Sequence, residues 1–422
     1  MNVLKFVFGH RGAANLVRRS AQIATRFGPN PDRMGGRFER FMDILDEFSI
    51  RPTFPITALP MSRNPAFAHR LIERGAELAV HAWSHIDFSA LDLAGQREHM
   101  GRAVDLFREC SVPFTGFRAP YLHWNEDTMR VVAEFQFSYS SNRTVWWNVL
   151  DATALTARQR EGMERGMAFY RPVSATQFRA LPFRRDGFVE IPVCLPDDEI
   201  PLDRMYIDDA NYLGDMWRSI LKLTHERGEL FTLQLHPERI DFFAGALRGL
   251  LADARARTPA VWIATLDEIA QWWKAKAHNR AQFVREGERF RVEIEACPGT
   301  TVFVRENGAE RAVAPGPLVL ESAFRPSVGV SAGSSREAVG FLTDLGYFVE
   351  VGDRSGGYSV HLGLVDSSDY TSIDACRRVI EESKRPLVRL GTWPDGARSA
   401  LAVTGDIDAL TIWDFVARFR GL

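Results

Sequence analysis

Two short segments at opposite ends of this 422-residue chain limit what it can fold into. Val80-His81-Ala82-Trp83-Ser84-His85 lies near the front, and Ala402-Val403-Thr404-Gly405-Asp406-Ile407-Asp408 lies near the end. Two imidazoles four positions apart, joined by a carboxylate, make a facial set of three ligands for a divalent metal and leave positions open for water. If both segments serve one site, the tail must fold back beside a strand near the front. The chain then reads as a metal-dependent hydrolase whose parts stand in rotated order.

The stretch between them has one rhythm as far as residue 275. Apolar residues recur at helical spacing in Arg37 to Phe48, and Arg51 to Thr57 follows as a strand. Asn64 to Gly75 reads as a helix, and Glu77-Leu78-Ala79-Val80 as the short apolar strand that delivers His81. The pattern continues with helices over 93–110, 125–135, 210–227, 240–257 and 265–276. Strands are expected around 115–117, 137–139, 188–193, 230–235 and 261–264. Near-continuous apolar strands alternating with helices argue for a parallel sheet covered by helices, an α/β fold, open or closed into a barrel. His81, Arg118 and His236 each fall just after a strand, where a (β/α) barrel carries its chemistry.

From about 277 the rhythm changes to period-two alternation broken by Gly and Pro, as in Phe290 to Glu295, Thr301 to Val304 and Leu318 to Leu320. Residues 335–395 then read as helix, strand, strand, helix, strand, with Gly356-Gly357 as a hairpin turn. Ala400 to Thr404 is a buried type of strand that ends at the acidic pair. The expected division is a barrel from 1–275 with 397–422, a small antiparallel β module at 276–335 and an α+β module at 336–396.

A net charge of −2 supplies no field to hold nucleic acid or an anionic membrane. The four cysteines (Cys110, Cys194, Cys297, Cys376) are scattered and form neither a zinc ribbon nor a disulfide framework. No apolar run approaches the ~18–20 residues that span a bilayer, and the first residues lack a signal-peptide pattern. A cytoplasmic protein is expected. The pairs Trp146-Trp147 and Trp272-Trp273 are either sugar-stacking platforms or core aromatics.

These segments resemble the polysaccharide deacetylase family, whose catalytic domain is a distorted (β/α) barrel with a divalent metal. His81-Ala82-Trp83-Ser84-His85 resembles the family's second motif, in which both histidines bind the metal. Phe117-Arg118-Ala119-Pro120-Tyr121 resembles the third, whose arginine orients the catalytic aspartate, and Leu235-His236 resembles the fifth, which supplies a catalytic histidine. The first motif, a strand followed by paired aspartates, is missing from the front; Thr404-Gly405-Asp406-Ile407-Asp408 matches it best, so the order is that of a circular permutation. The resemblance makes Asp406 the general base and Asp408 the third metal ligand, with Trp83, Pro120 and Tyr121 near the substrate. The usual fourth motif, an aspartate that braces the histidine, has no counterpart near Ser138 to Ser141. Asp197 and Asp198 are its candidates, against the alternative of a surface acidic turn.

The chemistry stands apart from the family name. A Zn²⁺-class ion (Co²⁺, Mn²⁺ or Ni²⁺ serving as alternatives) lowers the pKa of water from ~15.7 towards ~7 and polarises a carbonyl. Asp406 would then take the water's proton, Arg118 would keep that carboxylate ionised and aimed, and a backbone N–H near Tyr121 would help to bind the oxyanion. His236, as imidazolium, would protonate the leaving amine. The implied partner is an N-acylated carbohydrate, with a small linear or cyclic amide as the alternative substrate and a non-catalytic carbohydrate-binding relative as the alternative outside enzymology. A homodimer is left open.

Overall fold

The computed structural model describes residues 27–314, 316–352, 357–366 and 370–417. Gly356 lies outside the described residues. The main sheet holds the strands Thr53–Ile56, Glu77–Val80, Gly116–Phe117, Tyr139–Ser140, Thr144–Trp146, Phe188–Glu190, Val193–Leu195, Leu230–Leu235 and Ser399–Gly405, with short additions at its edges. Tyr139–Ser140 and Thr144–Trp146 are two halves of one bent strand, as are Phe188–Glu190 and Val193–Leu195. The first halves pair with each other, and so do the second halves. The first bent strand also pairs with Gly116–Phe117, and the second with Leu230–Leu235. The ladder of parallel strands therefore returns on itself, as a distorted (β/α) barrel.

The strand Ser399–Gly405 stands inside this circuit. It pairs in parallel with Leu230–Leu235 over six positions and with Thr53–Ile56 at Thr53↔Thr404. All seven of its residues are buried, which is why it reads as a run of Ala, Leu and Val without alternation. Burying Leu401 and Val403 stabilises the fold by roughly 1.5–3 kcal/mol each.

The helices outside the strands are stopped and started by local chemistry. Asp209 caps Ala210–Arg227 by accepting from Asn211 N–H, and Gly228 ends it at φ 73°. Thr265 and Glu268 form a capping box on Leu266–Lys276. Phe38, on the helix Asp32–Glu47, meets Phe54 edge-on at 5.3 Å and so seats that helix on the sheet. Gly116 is required by close approach: a Cβ there would sit 1.8 Å from the Tyr139 ring, whose hydroxyl donates to Glu77.

Residues 280–390 build three further three-stranded sheets. Two are antiparallel, Arg280–Glu286 with Arg289–Glu295 and Leu318–Glu321, and Val302–Glu306 with Ala309–Val313 and Leu387–Leu390. In the third, Arg325–Val330 is the centre, with Val349–Val351 and Tyr358–His361 parallel to it on either side. The boundary expected at 335/336 is thus crossed twice: Arg325–Val330 joins the later unit, and Leu387–Leu390 joins the earlier one. The hairpin expected at Gly356-Gly357 is corrected too, because the strands flanking it pair with Arg325–Val330 and not with each other. A hairpin needs adjacent strands, and here the central position is already taken.

This inserted region joins the barrel at the amino ends of the strands. Trp393 packs on Trp273 at 5.3 Å and on Trp262 at 6.1 Å, just before Ser399. Lys276 Nζ donates to Thr392 O at 3.0 Å over the Trp273 ring. Trp146, Trp147, Trp272 and Trp273 are all buried, so they fill cores and are not open to stack on a sugar. No helix among the described residues is long and apolar enough to cross a membrane.

Candidate active site and metal centre

Every residue that the sequence points to for chemistry follows the carboxyl end of a parallel strand. His81 and His85 follow Glu77–Val80, Arg118 follows Gly116–Phe117, His236 follows Leu230–Leu235, and Asp406 and Asp408 follow Ser399–Gly405. The parallel register brings these ends to one rim, with Ile56 opposite both Val80 and Ile407.

His81, His85 and Asp408 present ligand atoms that all lie within 4.8 Å of one another. Asp408 Oδ1 is 3.1 Å from His85 Nε2 and 3.6 Å from His81 Nε2. The tautomer of His81 follows from its other nitrogen. Nδ1 lies 2.8 Å from the carbonyl oxygen of Arg118, which can only accept, so the proton sits on Nδ1 and Nε2 offers its lone pair. That Nε2 is buried without a hydrogen-bond partner. A buried acceptor with no donor, facing an imidazole and a carboxylate, fits a divalent cation of the zinc class. The loop between the histidines is bent: Ala82 takes φ 62°, a strained value for a residue with a Cβ. His99 supports that loop, its Nδ1 accepting from Trp83 N–H at 3.4 Å and its Nε2 lying 3.3 Å from Ser84 Oγ.

Asp406 lies beside these ligands and is held at both oxygens. Arg118 Nη1 donates to Oδ1 at 2.8 Å, and Gln234 Nε2 donates to Oδ2 at 2.9 Å. Arg118 is fully buried, and its guanidinium is committed on every side, to Thr404 Oγ1, Ser141 O and Ser141 Oγ. The planar fork thus ties three strand ends together around one carboxylate. Gly405 lets the turn to Asp406 pass close to its neighbours, since a Cβ there would stand 2.5 Å from Pro237 Cγ and 3.0 Å from Phe54 Cε1.

His236 faces Asp198, its Nδ1 donating to Asp198 Oδ1 at 2.8 Å; the other oxygen, Oδ2, accepts from Arg239 at 3.3 Å. Burial by itself disfavours the imidazolium, but the charge and hydrogen bond of Asp198 prevail and raise His236 to about 10. The alternative of a surface acidic turn is corrected, because both Asp197 and Asp198 are fully buried. Asp197 caps Ile200 N–H with Oδ1, and burial together with the neighbouring Asp198 and Glu199 charges pushes its carboxyl up. Asp197, Asp198 and His236 also form a compact acidic group. Asp198 is turned to His236 and Arg239 and Asp197 Oδ1 to Ile200 N–H, while Asp197 Oδ2 is buried without a hydrogen-bond partner.

Tyr121 packs edge-on against His85 with ring centres 4.4 Å apart, at φ 61° on a loop that begins with buried Pro120. Trp83 is half-buried, with the Arg102 guanidinium 3.3 Å from one ring centre, so that face is already covered. Three supports were not singled out from the sequence: Gln234, Ser141 and Asn142, whose Oδ1 accepts from Ala119 N–H at 2.6 Å. The available signal was a glutamine inside an apolar strand, two positions before His236.

A peptidoglycan deacetylase-like protein, FGM2 of Gibberella zeae, is 24% identical over 260 residues, which cover 55% of this chain and 73% of that one. A crystal structure assigned as a polysaccharide deacetylase from Mycobacterium smegmatis is 21% identical, with a TM-score of 0.45 over 59% of this chain and 81% of that one. Puue allantoinase is 18% identical with a TM-score of 0.45, over 57% of this chain and 72% of that one. Residues 27–140, which hold both histidines and Arg118, match the family model described as polysaccharide deacetylase.

Proposed function

We propose that this protein is a metal-dependent deacetylase that removes an acetyl or formyl group from an N-acylated sugar or polysaccharide. The observation that carries the reading is the donor set of His81, His85 and Asp408, closed to within 4.8 Å, with His81 Nε2 buried and unpartnered. A divalent ion of the zinc class held there would polarise the acyl carbonyl and acidify water. Asp406 is the base that accepts the proton of the attacking water. Arg118 keeps that carboxylate ionised and fixed, because an adjacent guanidinium favours the charged form. His236, held as an imidazolium by Asp198, gives its proton to the leaving amine nitrogen, without which the C–N bond would expel an unstable anion. The Tyr121 loop lies against His85 and forms one wall of the substrate side.

We further infer that the family's first motif has moved to Thr404-Gly405-Asp406-Ile407-Asp408, a circular permutation of the barrel. The barrel of 1–275 with 397–422 is then the catalytic unit, and 276–396 an insertion at its amino-end rim.

The test is metal content and turnover measured together. His81→Ala, His85→Ala and Asp408→Asn should each lose bound zinc and hydrolysis of a panel of N-acetyl, N-formyl and cyclic amide compounds. Full metal content with full turnover in these variants would sink the proposal. Turnover confined to the cyclic amides would move the substrate to a small amide.

A further inference from the structure

The strand Leu230–Leu235 is buried from end to end, and its even positions carry two polar side chains, Thr232 and Gln234. Strand alternation puts both on one face, with Phe231, Leu233 and Leu235 on the other, packed among the helices. Gln234 stands in parallel register with Thr404, and Thr404 Oγ1 accepts from Arg118. Its amide therefore emerges inside the hydrogen-bond network of Asp406.

Arg118 and Gln234 divide the carboxylate between them, one oxygen each, at 2.8 and 2.9 Å. Arg118 alone would leave the group free to pivot about the Oδ1 contact. A second donor on Oδ2 fixes the plane, and with it the direction of the lone pair that meets the water's proton. An amide suits this task because it is neutral at every working pH: it donates without a charge that would weaken the basicity of Asp406 further. A lysine or arginine at the same place would supply that charge, and an ionised glutamate would repel Asp406.

We propose that Gln234 is a positioning residue that orients Asp406 for proton abstraction, an inference that rests on reading Asp406 as the base. Gln234 Nε2 donates to Asp406, which is not one of the three donors His81, His85 and Asp408, so its role is separable from metal binding.

The test uses the full chain loaded with Zn²⁺ and 4-nitrophenyl acetate as probe, an ester whose leaving group needs no acid. Gln234→Leu should keep the wild-type zinc content and lower kcat by about 10- to 100-fold, the effect of losing one hydrogen bond to a charged group. KM should change by less than about twofold, because an interaction made for the transition state is lost and not one made for substrate binding. Gln234→Glu supplies the readout that a merely structural role would not move. Its activity relative to wild type should rise as the pH falls, since the protonated carboxyl can donate to Asp406 as the amide does. Gln234→Leu at wild-type kcat beside an inactive Asp406→Asn overturns this proposal alone, as does a Gln234→Glu activity ratio that stays flat with pH. Full activity in Asp406→Asn overturns the base assignment and this proposal together.

Discussion

Replacing Asp198 by asparagine removes one negative charge from beside His236 and leaves unchanged the other influences on the ring. Burial and the Arg239 cation both disfavour the imidazolium, and the Asp198 carboxylate at 2.8 Å outweighs them to bring His236 to about 10. With that carboxylate neutral, burial and Arg239 still lower the ring against the smaller raising effect of Glu238, and His236 should fall below the ordinary histidine value of about 6.5. The move exceeds about 3 pH units, which at about 1.36 kcal/mol per unit is a coupling of roughly 4–5 kcal/mol. Breaking a buried ion pair costs about 3–5 kcal/mol, so the two routes agree. The sign is fixed by linkage. A group raised in the folded state contributes stability that is complete below about pH 6.5 and is lost as pH rises through about 10.

Two measurements check this. In the pH profile of kcat/KM with an unactivated N-acetyl substrate, the alkaline limb of Asp198→Asn should move to the acid side. At about pH 8 the variant should be slower by about 30-fold or more, because each unit above the ring's pKa removes tenfold of the acid form. Thermal unfolding should show the variant destabilised at neutral pH, with the gap to wild type closing above about pH 10. An unmoved alkaline limb, or a destabilisation equal at both pH values, would refute the pairing as the source of the histidine's acidity.

Arg118→Lys exchanges a fork with several partners for a point charge. It should abolish turnover and cost roughly 3–5 kcal/mol in unfolding free energy, yet keep its metal, because His81 is braced by the backbone carbonyl of Arg118 and not by its side chain. Gly405→Ala puts a Cβ 2.5 Å from Pro237 Cγ, so it should displace the strand end that carries Asp406. A loss of about 1–3 kcal/mol in denaturant unfolding, with lost turnover, is expected. Stripping the metal with EDTA should lower the melting temperature, and zinc at about 100 times its Kd should return about 2.7 kcal/mol of stability. An EDTA-treated chain that melts with the untreated one would refute resident metal.

Much of the barrel is legible from periodicity alone. The helices Ala210–Arg227 and Leu266–Lys276 and the strand Leu230–Leu235 lie where the apolar pattern and the capping residues put them. The candidate ligand residues are legible because each follows a strand, and strand ends in a parallel barrel converge. What local pattern cannot give is pairing. The bend at Ser141 to Arg143, which lets one strand serve two halves of the barrel, leaves no periodic trace. Arg325–Val330 is the centre of its sheet through partners 21 to 33 positions later in the chain. Asp198 looks like any acidic turn until Leu195 is placed beside Trp146 and the segment is carried to His236. Gln234 is hidden for the same reason, since its partner is 172 positions away.

The late position of the acidic segment in the chain costs the site little, and the reason is topological. In a closed ring of parallel strands, chemistry depends on which strands are neighbours and not on the order in which the chain visits them. Ser399–Gly405 needs only to reach the gap between Leu230–Leu235 and Thr53–Ile56, where six paired positions on one side fix its register. A one-residue slip would turn Ala402 and Thr404 to the opposite face and carry Asp406 away from Arg118. The price is loop closure, because roughly 135 residues separate this strand from the Val261–Ile263 strand where about 20 would suffice; that difference adds only about 1.5–2 kcal/mol. Burial of Leu401 and Val403 offsets it, at roughly 1.5–3 kcal/mol each. The inserted sheets attach beside Trp393, at the amino end of the strand, and leave the carboxyl rim, where His81, His85, Asp406 and Asp408 gather, to the barrel's own loops. A long insertion on that rim would have had to pass over His81, His85 and Asp408; on the opposite rim it leaves the geometry of that donor set alone.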